Sequence, residues 1–491
     1  MSYSKSPKLI DDLNDVDTTT VVPVTGDILY FDGTNWVPQQ ILPVAKITRT
    51  SKVSNILTVN ASSSSTNLDG DTLTYLWTVT PTVPTTVIGT PTASSTTIKV
   101  LSGKGEFTVN LTVTSTLTGK TATDTYKFKY DTIIEVMGTD AEHNDLFQTL
   151  ASAYNWITTN DSANAANYTI KIMSQTTDSG NITPVSGVKV HFEPGGVIGG
   201  AATAIQIQCG TGTFRFSGSS KDKPHINAAG GSLVFSGTAN TILVLDNLYI
   251  NGTGGSSLVF FAAGSSSITI TNCILITDTG NGIHHNTTGT VTVRNTTIQT
   301  GSSAGNNGIN AFGQTCTYTL ENCTIIAGSD SYGISQLDST LIMNNCFVSN
   351  TIAGVNVRTP LEIALVANAN TISRIRNCTF ETNGVAVVGT ALPAARVRGL
   401  AGNNVVFENC NFYSPTGEGF LRVSPTTPIL RECTLMGGRN SLLSSTGVAA
   451  ILAINWVLAP VEKCLFINAI GPTTSTFVAS TALGADNTQV P

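Results

Sequence analysis

Through the second half of the chain, apolar residues recur in a fixed frame. Nine six-residue segments align: LDNLYI, ITNCIL, VRNTTI, LENCTI, MNNCFV, IRNCTF, FENCNF, LRECTL and VEKCLF. Their fourth positions are Leu248, Cys273, Thr296, Cys323, Cys346, Cys378, Cys410, Cys433 and Cys464, separated by 25, 23, 27, 23, 32, 32, 23 and 31 residues. Three residues before each of these stands an apolar residue, from Leu245 through Val461, and two residues after it another, from Ile250 through Phe466. A strand places i and i+2 on one side, so the fourth position and the residue two later face inward together. The residue three before faces inward as well, and that odd offset cannot be met by one unbroken strand. A bend must therefore fall between them.

The residue before the fourth position is asparagine in seven segments: Asn247, Asn272, Asn295, Asn322, Asn345, Asn377 and Asn409. Outside glycine, asparagine is the residue best suited to a left-handed backbone conformation. Each unit thus reads as strand, corner, strand. A further apolar strand follows, usually after glycine: GIHHN, GINAF, GISQL, GVNVR, GVAVV, GFLRV. One circuit every 23 to 32 residues describes a stack of coils with like residues over like, roughly 4.8 Å apart.

Earlier in the chain the pattern alternates at period two. NILTVNA, LTYLWTV, TTIKVLS, FTVNLTVTS and TDTYKFKY predict a β-sandwich over residues 45–130. Ahead of it, Ile10, Leu13 and Val16 suggest one or two helical turns, and ILYFDGTNWVP a hairpin with an Asp-Gly turn, stopped at Pro38. Residues 140–158 carry Leu146, Leu150 and Tyr154 at i, i+4, i+8 behind a cap at Asp140, which predicts a helix able to cover the open end of the coils.

Only 11% of residues are charged, against roughly 25% in ordinary soluble domains. Ser, Thr, Asn and Gly must cover the surface. A net charge of −6 without a basic run argues against nucleic acid or an acidic membrane as partner. No apolar run reaches membrane-spanning length, and the N-terminus lacks the apolar core of a signal peptide. The nine cysteines fall on the corner ladder or singly, not in metal-binding pairs, and an odd number cannot all pair. Cys273, Cys323, Cys346, Cys378, Cys410, Cys433 and Cys464 are read as a ladder of small, buried free thiols, suited to assembly in a reducing cytoplasm. No metal or other cofactor is expected.

Three resemblances bear on function. LIDDLNDVDTTT with TGDILYFDGTNWVP resembles a short module near the N-termini of bacteriophage tail-fibre and other virion proteins. NLDGDTLTYLWTV, Asn67 to Val79, resembles PKD or Ig-like domains, which implies a buried Trp77 and a turn at Asp69 to Asp71. The coiled region, residues 187–468, resembles the right-handed parallel β-helix of the pectate-lyase-like superfamily, to which many phage tailspikes belong. The expected architecture is all-β: a virion-attachment module (1–44), a PKD/Ig-like sandwich (45–130), a helix-containing cap (131–186), the β-helix (187–468) and a tail (469–491). Resemblance to tailspikes implies a homotrimer, other virion proteins as partners, and a place in the virion.

Candidate chemistry is sparse. Arg294, Glu321, Arg376, Glu408, Arg431 and Glu462 occupy one column two residues before the ladder, where stacked opposite charges account for them without catalysis. Asp278, His284 and His285 are candidates for acid–base work, although no second carboxylate is fixed beside them. The row His284, Asn310, Ser335 and Asn356, edged by Phe312 and Tyr332, would cradle a glycan or form a wetted face. The expected function is a structural virion fibre or spike that recognises a host-surface glycan. The alternatives are a depolymerase (hydrolase or lyase), an architectural collar or capsid fibre, and a bacterial adhesin.

Overall fold

The computed structural model describes residues 16, 27–53, 56–66, 70–80, 86–100, 105–130, 133–138, 147–199, 204–229, 234–253, 257–261, 264–301, 305–311, 316–328, 331–352, 358–365, 372–384, 393–399, 404–415, 418–423, 428–437, 440–445, 461–468 and 488–490. The chain divides into two units, Met1–Ile133 with Ala141–Leu146, and Ile134–Asp140 with Phe147–Pro491.

In the first unit, Asp27–Phe31 pairs antiparallel with Trp36–Gln40. The Asp32 carboxylate accepts the backbone N–H groups of Thr34 and Asn35 at 2.8 Å and so closes the turn. Pro38 does not stop the second strand; it pairs with Leu29 inside it. Val16 forms a parallel bridge with Trp36 in place of the expected helical turn, while Ile10 and Leu13 lie outside the described residues.

Two antiparallel sheets follow. One contains Thr48–Val53, Ile56–Asn60, Ser95–Val100 and Thr86–Ile88; the other Leu73–Thr80, Gly105–Ser115 and Thr121–Tyr130. Alternate residues of both sheets, among them Leu57, Val59, Ile98, Trp77, Phe107 and Leu111, form one buried cluster. Trp77 is 1% exposed and donates its indole N–H to the Ala93 carbonyl at 2.8 Å. The Asp71 carboxylate accepts Thr66 and Thr116 hydroxyls and the Leu117 N–H, which makes it a turn fastener. Asp69 lies outside the described residues.

The second unit is a parallel β-solenoid. Among the described residues its strands form three sheets of thirteen, eleven and twelve, each strand paired with its equivalents in adjacent coils. One coil shows the route. Cys316–Glu321 lies in the first sheet, Thr324–Ala327 in the third, Ile334–Leu337 in the second, and Thr340–Asn344 re-enters the first. Inward columns are mostly apolar, for example Leu320 on Met343 on Ile375 on Phe407 on Leu430. Burying each such side chain contributes roughly 1.5–3 kcal/mol.

The corner lies where the odd offset requires it. Asn247, Asn272, Asn295, Asn322, Asn345, Asn377 and Asn409 have φ between 48° and 55°, and Glu432 and Lys463 hold 53° and 52° at the two segments that lack asparagine. The next residue faces the interior. All nine cysteines are free and buried. At the corners each thiol donates to the carbonyl two residues earlier, as Cys323 does to Glu321 at 3.3 Å and Cys378 to Arg376 at 3.0 Å. Thr296 makes the same bond to Arg294 at 2.8 Å. At eight of the nine corners the position is filled by a small side chain carrying one hydrogen-bond donor, and Leu248 alone fills it with an apolar one. The shared bond explains why threonine can stand in for cysteine at Thr296.

Glycine before the second-sheet strands also has a steric cause. A Cβ on Gly333 would stand 2.4 Å from Val348 Cγ1 and 2.6 Å from the Pro360 carbonyl. Within the two 32-residue spacings the second sheet is continued by Leu361–Leu365 and Ala395–Gly399, while most of GVNVR and GVAVV lies outside the described residues.

The solenoid begins earlier than residue 187. Ile133–Val136 and Thr169–Ile172 already belong to the first sheet, and Thr488–Val490 adds a strand to the third. The helix spans Leu150–Asp161, with Thr149 as N-cap in a capping box with Ser152; Asp140 lies outside the described residues. Asp178 accepts the Leu150 and Ala151 N–H groups at 2.8 and 3.1 Å and so satisfies further orphan donors. The helix lays Leu150, Ala153, Tyr154 and Ile157 into the solenoid interior.

Candidate functional site

The sequence candidates separate. His285 faces inward and is fully buried; its Nε2 lies 2.8 Å from Ser266 Oγ and its Nδ1 3.0 Å from the Tyr318 hydroxyl. Burial first, then the neighbouring His284, pushes its pKa down to about 4. It is a neutral core group without access to substrate. His284 faces outward, with its ring edge-on to Phe260 at 4.9 Å, and burial lowers its pKa. Asp278 is exposed and bonds to neither histidine.

The charged column is an ion-pair ladder. Arg294 meets Glu321 at 3.1 Å, Arg376 meets Glu408 at 2.6 Å, and Arg431 bridges Glu408 and Glu462 at 3.6 and 3.1 Å. These exposed pairs hold one another and contribute up to about 1 kcal/mol each.

On the outer face of the second sheet, register brings His284, Asn310, Ser335, Glu362 and Arg396 into one row. Glu362 takes the position expected for Asn356, which lies outside the described residues, as does Phe312. Although it points away from the interior, the Glu362 side chain is only 2% exposed. It is bound by Arg396 through one oxygen and by Arg398 Nε through the other. The Arg396 Nη2 also donates to the Tyr332 hydroxyl at 3.0 Å, and the Arg358 guanidinium lies 4.7 Å over the Tyr332 ring. Burial raises the Glu362 pKa, but Arg396, Tyr332 and Arg398 outweigh it and leave the carboxyl below its ordinary range.

Tyr332 is recessed, 7% exposed, and its N–H donates to Asn307 Oδ1 at 3.1 Å. Asn307 in turn donates its N–H to Asn281 Oδ1 at 2.9 Å, so a column of asparagines leads along the sheet edge to the tyrosine. Three polar atoms of this region are buried without a hydrogen-bond partner: Asn306 Nδ2, Asn310 Oδ1 and Arg396 Nε. Unsatisfied buried polar atoms are costly, and a ligand that pairs them recovers that cost.

Sequence reading reached Asn310, Ser335 and Tyr332 and missed Glu362, Arg358, Arg396 and Arg398. The usable signal was alternation in LEIAL and ARVRG, hidden behind the longer loops of the 32-residue repeats.

A separate concavity of about 400 Å³ lies between the Pro194–Val197 turn and the Ser220–His225 loop. Two of its polar contacts are internal: Ser220 donates to Asp222 at 2.7 Å, and His225 Nδ1 accepts the Tyr249 N–H at 3.0 Å. Among the described residues no three His, Cys, Asp or Glu side chains gather as metal ligands, and no helix is long and apolar enough to cross a membrane.

No family model matches the sequence, and no curated protein matches it. Among solved structures, the chain is similar to the family 28 exopolygalacturonase of Yersinia enterocolitica at 9% identity, covering 86% of this chain and 99% of that one, with a TM-score of 0.27. So loose a superposition carries no argument about activity.

Proposed function

We propose that the chain is a structural fibre or spike protein whose solenoid binds a surface polysaccharide on the outer face of its second sheet. The observation that carries this reading is the row of Asn310 and Ser335 beside recessed Tyr332, with buried polar atoms on Asn306 and Asn310 left unpaired. Hydroxyl-rich sugars supply the donors and acceptors such a row lacks, and Tyr332 holds the neighbouring Arg396 and Arg358 in place beside it. Binding is preferred to cleavage on chemical grounds. A general acid must hold a proton, whereas Glu362 is kept ionised between two guanidinium groups, and His285 is sealed from solvent.

Placement in a bacteriophage virion rests on the resemblance of the N-terminal segment and of the coiled region. So do the PKD/Ig-like identity of the antiparallel domain and a homotrimeric assembly. The free-thiol ladder agrees with folding in a reducing compartment.

The test is a glycan array probed with the purified chain and with Asn310→Ala and Tyr332→Ala. Each bound polysaccharide is then sized by chromatography before and after incubation. Binding that both substitutions weaken, with polysaccharide length unchanged, is expected. Shortened polysaccharide would replace this reading with the depolymerase.

A further inference from the structure

We infer that Arg358, Arg396 and Arg398 form an anion subsite, so that the glycan taken by this face carries an acidic group, a carboxylate on its sugars. The inference rests on the glycan-binding reading and adds the charge class of the ligand.

Two guanidinium groups grip the Glu362 carboxylate and a third, that of Arg358, lies over the Tyr332 ring whose hydroxyl Arg396 also binds, so three positive charges share one negative partner. The chain as a whole carries a net −6, so this concentration runs against its overall charge. The arginines also divide the work. Arg396 is inner, 18% exposed, committed through Nη2 to Glu362 and Tyr332, yet its buried Nε lacks a partner. Arg398 is outer, 45% exposed, and binds Glu362 through Nε alone, which leaves the terminal Nη1 and Nη2 fork for a second acceptor. A guanidinium fork matches a carboxylate with two parallel hydrogen bonds, a geometry a neutral hydroxyl does not reproduce. Arg358 is held by its cation–π contact on Tyr332, so its charge stays at the site without a hydrogen-bonded partner among the described residues.

Glu362 has a matching role. By binding both guanidinium groups it holds Arg396 and Arg398 together on alternate, same-face positions of one strand. The ligand's acid then binds a preorganised pair and does not have to gather two mobile side chains.

The test uses the full chain with arginine Nε–Hε signals observed by NMR, D-glucuronate as the acidic probe and D-glucose as the neutral one. Glucuronate is expected to shift the Arg398 and Arg396 signals and glucose to leave them in place. Arg398→Gln, half exposed and checked for an unchanged melting transition, is expected to weaken glucuronate at least tenfold. On the array, carboxyl reduction of a bound glycan is expected to abolish binding. Equal response to both sugars, or array binding that survives carboxyl reduction, overturns the anion subsite while leaving glycan binding intact. An array without any bound glycan overturns the glycan-binding reading itself, whereas an absent glucuronate shift sinks the subsite whatever the array shows.

Discussion

The side-chain amide of Asn345 donates to Asn322 Oδ1 across 2.8 Å, one coil away, while both residues hold a left-handed backbone at φ 53°. One residue type thus bends the chain and ties the bend to its neighbour. The column runs on through Asn322 to Asn295 at 3.1 Å and Asn295 to Asn272 at 3.2 Å. Asn322→Ala should cost about 2–3 kcal/mol, combining roughly 1–2 for the left-handed backbone with about 1 for the lost bonds. Asn322→Gly keeps the backbone and should cost only about 1. Urea midpoints of the two variants test the order, and equal losses would refute the backbone contribution.

Glu432 occupies the same conformation without the side chain that suits it. Glu432→Asn should therefore raise stability by about 1 kcal/mol. A lower melting temperature for this variant would show that the corner is not strained there.

The thiols are structural donors. Burial pushes Cys273 up to about 12, so it stays protonated and unreactive at neutral pH. A thiol reagent should label almost no cysteine in the native protein and all nine in denaturant. Cys323→Thr, which copies Thr296, should stay within about 1 kcal/mol of wild type, while Cys323→Leu should overpack the corner by about 1–3 kcal/mol.

How much of this was legible beforehand depended on whether local pattern or distant contact set the outcome. The corner followed from one odd offset between apolar positions. The inward cysteines, the outward ion pairs and five of the seven strands in the two sheets over residues 48–130 followed from period-two alternation. The helix start did not, because Asp178, 28 residues on, supplies two of its N-terminal hydrogen bonds. Glu362 was invisible for a related reason: alternation reports which way it points, and nothing local reports that its outward side is covered.

His285 makes stability pH-dependent. Its folded pKa, about 4, lies below the ordinary 6.5, so the unfolded chain takes up the proton first as pH falls. The contribution is complete above pH 6.5, declines between 6.5 and about 4, and is gone below. Its full size is roughly 3 kcal/mol. Urea midpoints from pH 8 to 4 should trace this decline, and a flat profile would show that the histidine is not buried neutral.

Glu362→Ala should destabilise by about 3–5 kcal/mol, since it strands Arg396 beside a half-buried Arg398. Replacing all three charged residues together with apolar ones of similar size should recover most of that loss. Additive losses in this triple variant would argue against the charges acting as one unit.

The corner spacings vary from 23 to 32 residues, yet strand pairing steps by one coil throughout. Axial advance is therefore decoupled from sequence length. Ten steps along the second sheet measure about 48 Å however long the intervening loops grow. The solenoid is a ruler graduated in whole coils: residues inserted between strands change its girth, and only a complete added circuit changes its reach.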